Sequence, residues 1–339
     1  MLQSLLLAAL ACRAFATPCH APEHWLYSSD LDNKTLDLLD RPDIAGVQLL
    51  YSWRSLESAK DDYAEGFQLL QGDLDKVQAK GKKVWIQIQD RTFDPARDAV
   101  PRYMKTPEYR NGSSPQGEAD ARGVFEPQGH VAAHWVPAVR KRFQSLLDAL
   151  GKKFDGKIHG INLPETAIDV TPSSPQNHGF TFEAYFDAAL ENAKHASSVF
   201  RKTFAVQYVN YWPGANGNDD IVAARKYFTR SFEFYARNHI GVGGPDLVPE
   251  NAQGHPPYAG AMKNSYPFIH DYGKRVPISV MSAQEPDFCL TNGQNGTRFK
   301  KDDFVKIGAY LHARIIFWAT MAPWLNGADV PYTGDFCKP

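Results

Sequence analysis

Short runs of apolar, often β-branched residues alternate with longer amphipathic segments along most of the chain. This alternation is typical of repeated βα units, in which a buried parallel strand precedes a helix with one apolar face. The clearest helical pattern spans residues 130–154, where apolar residues from Trp135 to Leu150 recur at steps of three or four. The strand candidates are residues 45–53, 82–89, 121–126, 157–165, 203–210, 239–244, 276–285 and 314–320.

Eight βα units in a chain of 339 residues predict an α/β fold, a closed (β/α)8 TIM barrel. The alternative is an open doubly wound sheet, but no Gly-x-Gly-x-x-Gly turn follows the first strand candidate. The residues after 320 are rich in proline and glycine, so we expect the eighth helix to be absent or replaced by a loop. No linker or repeat divides the chain, which favours one barrel domain over residues 17–339.

The amino terminus predicts export. Residues 1–16 contain an apolar run and end in Ala14-Phe15-Ala16, a small-x-small cleavage site, so they resemble a signal peptide. We therefore expect a secreted or periplasmic protein whose remaining cysteines lie in an oxidising compartment. Cys289 and Cys337 follow the seventh and eighth strand candidates, and we predict that they form a disulfide; Cys19 is the third cysteine of the mature chain.

Composition narrows the classes of partner. The net charge is -1, with 37 Lys and Arg against 38 Asp and Glu, so no basic field favours nucleic acid. After the leader, no stretch approaches the roughly 20 apolar residues of a membrane span. A neutral, polar substrate fits this balance at least as well as an ionic one.

Two glutamates are the strongest catalytic candidates. In a (β/α)8 barrel the active site lies at the carboxyl ends of the strands. Glu165 ends the fourth strand candidate and Glu285 ends the seventh, so both carboxyl groups can face one central cleft. Cleavage of a glycosidic bond needs such a pair of carboxyl groups.

The segments around these glutamates resemble a known group of enzymes. Ile161-Asn-Leu-Pro-Glu-Thr and Met281-Ser-Ala-Gln-Glu-Pro-Asp-Phe stand where clan A glycoside hydrolases carry their two glutamate motifs. The segment from Gly46 to Gln89 is similar to the opening of such barrels. The resemblance implies that Glu165 is the acid/base, that Glu285 is the nucleophile of a retaining mechanism, and that Trp318 forms the floor of the sugar site. It implies no cofactor and no metal.

Other polar and aromatic residues at strand ends are candidates for substrate binding. Clan A enzymes have Asn directly before the acid/base Glu; here Pro164 stands there, and Asn162 is the candidate to replace that asparagine. Trp53 and Trp318 could stack on sugar rings. The full set is Trp53, Arg54, Gln89, Asn162, Asn210, Tyr211 and Trp318.

Two other functions stay open at this point. The missing Asn before Glu165 favours a carbohydrate-binding barrel without turnover, and a barrel hydrolase or lyase acting on a non-sugar substrate is the other alternative. His130 and His134 have the i, i+4 spacing of metal ligands on a helix, but they lack the interposed Glu of His-Glu-x-x-His, so we interpret them as residues of a helix's first turn.

Overall fold

The computed structural model describes residues 21–214, 221–249, 262–285, 287–291 and 296–327. The predicted signal peptide, Cys19 and Cys337 lie outside these residues. The strands are β1 (Glu23–Ser28), β2 (Ile44–Ser52), β3 (Lys83–Gln89), β4 (Ser113–Ala119), β5 (Phe125–Ala132), β6 (Gly160–Leu163), β7 (Phe204–Tyr208), β8 (Gly241–Gly244), β9 (Ser279–Ala283) and β10 (Ile315–Ala319). The α-helices are α1 (Asn33–Leu39), α2 (Trp53–Leu56), α3 (Ala64–Ala79), α4 (Pro137–Phe154), α5 (Phe182–Val199), α6 (Ile221–Arg237), α7 (Met262–Tyr272) and α8 (Lys301–Tyr310).

The predicted parallel barrel is confirmed. Eight strands pair in parallel in the order β1-β2-β3-β6-β7-β8-β9-β10, and β10 pairs with β1 to close the ring. Helices from the intervening segments cover the outside, so both faces of the sheet are buried, as a parallel sheet requires. None of the described helices is long and apolar enough to cross a membrane.

The prediction that residues 121–126 form a barrel strand was wrong. Those residues lie at the tip and start of an antiparallel hairpin, β4–β5, inserted between β3 and α4. The strand that completes the barrel is β1, which the sequence pattern missed because its six residues include two polar ones near its start. One barrel strand was predicted in excess and one was missed, so the number of barrel strands before Glu165 is unchanged. Glu165 therefore still follows the fourth barrel strand, β6, and Glu285 still follows the seventh, β9.

The helix predicted over residues 130–154 is shorter than expected. Helix α4 begins at Pro137, because proline fits the first helical position, where its missing N–H is not needed. His130 belongs to β5 and His134 to the connection before α4, so the interpretation of both as first-turn residues was wrong.

Two tryptophans fill the lower interior of the barrel. The rings of Trp25 and Trp85 pack edge to face at 6.2 Å between centroids and are fully buried. Glycines make room for them: a Cβ at Gly46 would lie 2.6 Å from the Trp25 ring, and one at Gly160 would lie 2.4 Å from the Trp85 ring. The interior is thus a packed core that supports the strand ends above it.

A cluster of aromatic rings occupies the outer surface of β10. Beyond β10 the described residues contain only one 3₁₀ turn, Pro323–Asn326, and no α-helix. Trp318 points outward from β10, packs against Phe304 of α8, and lies nearly perpendicular to Trp324 at 5.2 Å between centroids. Lys301 Nζ lies 3.8 Å from the centroid of the Trp324 ring. These side chains cover the part of β10 that an eighth helix would otherwise cover.

We expect Trp318→Ala to lower the free energy of unfolding by about 3–5 kcal/mol, the range for removing a buried large aromatic ring. Trp318 is 1% exposed, so the substitution leaves a cavity between β10 and α8. Urea denaturation measures the loss, with Leu69→Ala on α3 as a control, because Leu69 is 52% exposed. Equal stability of the two variants would contradict the assigned packing role.

Candidate active site

Glu165 stands at the mouth of the barrel, two residues after β6 ends. Its side chain is 19% exposed, and its Oε1 accepts a hydrogen bond of 3.1 Å from Nη1 of Arg91. Arg91 follows β3, the strand next to β6, and its side chain is 2% exposed. The guanidinium also donates to the main-chain carbonyls of Glu165 and Ala167. One buried cation therefore holds both the carboxylate and the backbone that carries it.

The residues on either side of Glu165 are held by their neighbours. The carbonyl of Pro164 accepts a 2.5 Å hydrogen bond from the amide of Gln207 on β7. The hydroxyl of Thr166 donates to the carbonyl of Tyr211 at 2.8 Å, and its carbonyl accepts from the hydroxyl of Tyr185 at 3.0 Å. These bonds leave the loop little freedom, so the Glu165 carboxyl is fixed in position.

Opposing effects act on the protonation of Glu165. Burial disfavours the charged carboxylate and is the largest effect, while the nearby charge of Arg91 favours it and that of Asp246 disfavours it. The balance raises the pKa of Glu165 above its ordinary value. A carboxyl group that keeps its proton at higher pH is suited to act as a general acid.

Glu285 shares the barrel mouth with Glu165. It follows β9 by two residues and is half-buried. Both residues follow the carboxyl ends of barrel strands and so stand above the same end of the barrel. Burial raises the pKa of the Tyr27 phenol on β1, and the charges of Glu165 and Glu285 raise it further.

Two further carboxyl groups lie beside this pair. Asp246, after β8, accepts hydrogen bonds from Asn210 at 3.4 Å and from Gln284 at 3.0 Å, and burial raises its pKa. Asp287, in a 3₁₀ turn after β9, is 7% exposed. Burial raises the pKa of Asp287 to about 8, and the charges of Asp246 and Glu285 add to this effect. Asp287 was not among the residues predicted from the sequence; its position two residues after Glu285 was the available signal.

Asn162 lies in a buried polar layer below the mouth. Its amide oxygen accepts a 3.0 Å hydrogen bond from the indole of Trp85, and the residue is fully buried. In the same layer, the hydroxyl of Tyr208 bonds to Gln48 at 3.2 Å and to Ser282 at 2.9 Å. Asn162 points into the barrel because side chains alternate along β6, so it is not brought to the carboxyl group of Glu165.

Of the other predicted binding residues, three lie at the barrel mouth and one lies farther out. Asn210 and Tyr211 lie at the mouth and are half-buried; the Tyr211 hydroxyl donates to Asp169 at 2.5 Å. Gln89 is half-buried at the end of β3. Arg54 lies farther out, where its Nε donates to the carbonyl of Val100 at 2.9 Å.

The two tryptophans predicted to stack on sugar are buried elsewhere. Trp53 is fully buried, its ring stacks on His134 at 6.0 Å between centroids, and its indole donates to Glu57 at 2.8 Å. Trp318 lies on the outer surface of β10, as described above. Neither ring offers a face to the barrel mouth in this structure, because each side chain lies on the helix side of the sheet.

The hairpin β4–β5 joins two rim loops of the site. The amide of Thr92, next to Arg91, donates to the carbonyl of His130 in β5 at 2.8 Å. The amide of Gly117 in β4 donates to the carbonyl of Asp169 at 3.0 Å. The hairpin therefore connects the loop that carries Arg91 with the loop that carries Glu165. In the described ranges, no three His, Cys, Asp or Glu residues are arranged to hold a metal ion.

Comparison with known proteins supports the fold. No protein family and no curated protein matches the chain. The catalytic domain of β-amylase from Paenibacillus polymyxa superposes with a TM-score of 0.59 at 10% identity, over 93% of this chain and 96% of that one. A GH10 endoxylanase from a sugarcane soil metagenome gives a TM-score of 0.50 at 12% identity, over 93% and 91%. Another glycoside hydrolase gives 0.51 at 11% identity, over 89% and 88%.

At these identities the likeness shows the fold. The chain is a (β/α)8-barrel protein, and the three glycoside hydrolase structures named above share this fold. The expected similarity in fold to clan A barrels is confirmed, and the comparisons assign no subfamily.

We expect Asp287→Asn to gain stability relative to the wild type as pH rises from about 4 to about 8. In the folded protein the pKa of Asp287 is about 8. In the unfolded chain the pKa of an aspartate is about 3.9. The folded state binds more protons in this window, so wild-type stability falls with rising pH, by at most about 1.4 kcal/mol per pH unit from this group. Asparagine does not ionise, which removes this loss.

Urea unfolding of both proteins at several pH values measures the difference. Exposed Asp75→Asn on α3 serves as the control, which should follow the wild type. Parallel curves for Asp287→Asn and the wild type would contradict the raised pKa.

Proposed function

We propose that this protein is a glycoside hydrolase that acts with retention, with Glu165 as acid/base and Glu285 as nucleophile. The observation that carries the proposal is the mostly buried Glu165 carboxyl, whose pKa is raised, at a barrel mouth that it shares with Glu285. The fold, common to several glycoside hydrolases, supports the same reading.

The two residues would divide the reaction between them. Glu285, as a carboxylate, attacks the anomeric carbon and forms an ester, while the glycosidic bond breaks and the leaving oxygen takes the proton of Glu165. Glu165, now a carboxylate, removes a proton from water, whose oxygen attacks the anomeric carbon and releases Glu285. Arg91 stabilises the carboxylate that Glu165 becomes after the first step.

The substrate in this proposal is an oligo- or polysaccharide. Gln89, Asn210 and Tyr211 present polar groups at the mouth that can bond to sugar hydroxyls. Retention needs carboxyl groups about 5 Å apart, and a separation of roughly 6.5–9.5 Å would indicate inversion instead.

A carbohydrate-binding barrel without turnover is the second candidate. It is favoured by the place of Asn162, which is fully buried and bonded to Trp85, so no asparagine from β6 stands beside Glu165. Incubation of the purified protein with a panel of polysaccharides separates the two functions. Released sugars support the hydrolase, and binding without release supports the second candidate.

Export and one disulfide belong to the same proposal. They are supported by the leader-like residues 1–16 and by the place of Cys289 in the 3₁₀ turn after β9, near the upper rim. Peptide mapping without reduction tests the bridge. We expect a Cys289–Cys337 peptide, and a bridge that contains Cys19 would contradict the pairing.

We expect the two glutamate variants to differ in their response to the leaving group and to azide. Glu285→Ala should lose turnover, at least about 1000-fold, because no carboxylate remains to form the intermediate. Glu165→Ala should still form the intermediate from activated aryl glycosides, because a good leaving group needs no acid. Azide should then release that intermediate faster than water does, since an anion needs no general base.

Rates with aryl glycosides of graded leaving-group acidity, with and without azide, measure this. Equal loss in both variants on every leaving group, with no response to azide, would show that the roles are assigned wrongly. Full activity in both variants would remove both glutamates from the mechanism.

A further inference from the structure

A buried acid–base pair lies directly behind Arg91. Nε2 of His134 lies 2.5 Å from Oδ2 of Asp90, and these residues are 6% and 2% exposed. Asp90 is the residue before Arg91, at the end of β3. The mechanism above uses neither side chain, although a buried carboxyl group next to a buried cation must influence it.

Three polar atoms around this pair have no hydrogen-bond partner among the described residues. They are Oδ1 of Asp90, Nδ1 of His134 and Nε of Arg91. Unpaired buried polar atoms are costly, so each calls for an explanation. Their chemistry is complementary: the Arg91 Nε–H is a donor and Oδ1 of Asp90 is an acceptor. Nδ1 of His134 points away from the Asp90 carboxyl group, because the two ring nitrogens point in nearly opposite directions.

All three residues line one internal cavity, together with Glu165. About 20 Å³ of this cavity is open to the centre of a water molecule, and one buried water needs roughly 10–15 Å³ by this measure. A single water there can accept from the Arg91 Nε–H and donate to Oδ1 of Asp90, which satisfies these two atoms.

We propose that Asp90 and His134 are positioning residues for Glu165, which act through Arg91 and through one water bound in the cavity between them. The proposal rests on the proposed function for its catalytic meaning, but the contacts stand without it. Asp90 and Glu165 both interact with the positive charge of Arg91. His134 holds the carboxyl group of Asp90 in place. The Arg91 guanidinium keeps its charge despite burial, because Glu165, Tyr185 and Asp90 together raise its pKa.

The charge of Asp90 has a definite effect on Glu165. Asp90 acts on the positive charge of Arg91 as Glu165 does, so the attraction of Arg91 for the Glu165 carboxylate is partly offset. The charges of Arg91 and Asp246 act on the pKa of Glu165. The charge of Glu165 in turn raises the pKa of three tyrosines, Tyr27, Tyr185 and Tyr211, and the charge of Glu285 also raises that of Tyr27. Tyr185 also senses the charge of Asp90.

The first experiment titrates Glu165 by carbon-13 NMR in protein labelled at the glutamate carboxyl carbon, with the signal assigned by Glu165→Gln. In Asp90→Asn we expect the midpoint of Glu165 to fall by about 0.5–1 pH unit, because Arg91 then acts on Glu165 alone. The control is Asp94→Asn, a half-exposed carboxyl on the same rim loop. An unchanged or higher midpoint in Asp90→Asn would overturn the positioning role.

The pH profile of kcat/KM gives the same answer in the working enzyme. With a poor leaving group, the alkaline limb should move to lower pH in Asp90→Asn, and KM should change little. A purely structural role would lower activity without moving the limb, which would count against the proposal. If the wild type hydrolyses no polysaccharide, the proposed function fails, but the NMR titration still decides this inference.

A crystal structure of the wild-type protein tests the water itself and does not depend on the folding of any variant. We expect one ordered water within about 3.2 Å of Asp90 Oδ1 and Arg91 Nε. Direct contacts among these atoms, or a cavity without water density, would overturn the bridging part of the proposal.

Discussion

The contact between Arg91 and Glu165 is the interaction on which the rest of the site depends. It joins the ends of two neighbouring strands, β3 and β6, and its guanidinium binds the carboxylate and two main-chain carbonyls at once. A buried ion pair is a weak source of stability, but removal of one partner costs about 3–5 kcal/mol because the other charge stays buried. The pair therefore fixes geometry more than it stabilises the fold.

The same contact accounts for the protonation of Glu165. Burial favours the neutral acid and is the larger effect, while Arg91 favours the carboxylate, and the balance of the two raises the pKa of Glu165. A group that must donate a proton in one step and accept one in the next needs such a balance. The surrounding structure maintains it: the β4–β5 hairpin ties together the rim loops, and the layer around Tyr208 supports the strand ends from below.

The features that depend on repeating patterns could be predicted from the sequence. Strand and helix periodicity were sufficient for the barrel, and the position of Glu165 and Glu285 at strand ends was sufficient to place both at its mouth. The hairpin could not be distinguished from a barrel strand, because residues 121–126 show the same local pattern as a barrel strand. Only the antiparallel pairing of Phe125 and Glu126 with Ala119 and Glu118 reveals the difference.

The face of the sheet on which an individual side chain lies was harder to predict. Trp318 and Asn162 each lie on a strand, where one residue of displacement moves a side chain to the opposite face. The resemblance placed Trp318 in the sugar site, but it faces α8; Asn162 faces the barrel interior. The contacts of Asp90 with His134 and of Asp246 with Gln284 join residues 44 and 38 positions apart, which no local pattern encodes.

The most direct measurement of the central claim is the trapping of the covalent intermediate. A 2-deoxy-2-fluoro glycoside with a good leaving group, chosen from the sugar that the protein releases, slows the second step more than the first, so the glycosyl-enzyme accumulates. Peptide mapping by mass spectrometry then locates the attached sugar. We expect it as an ester on Glu285. A label on another residue, or turnover by an enzyme that never carries a label, would contradict this account.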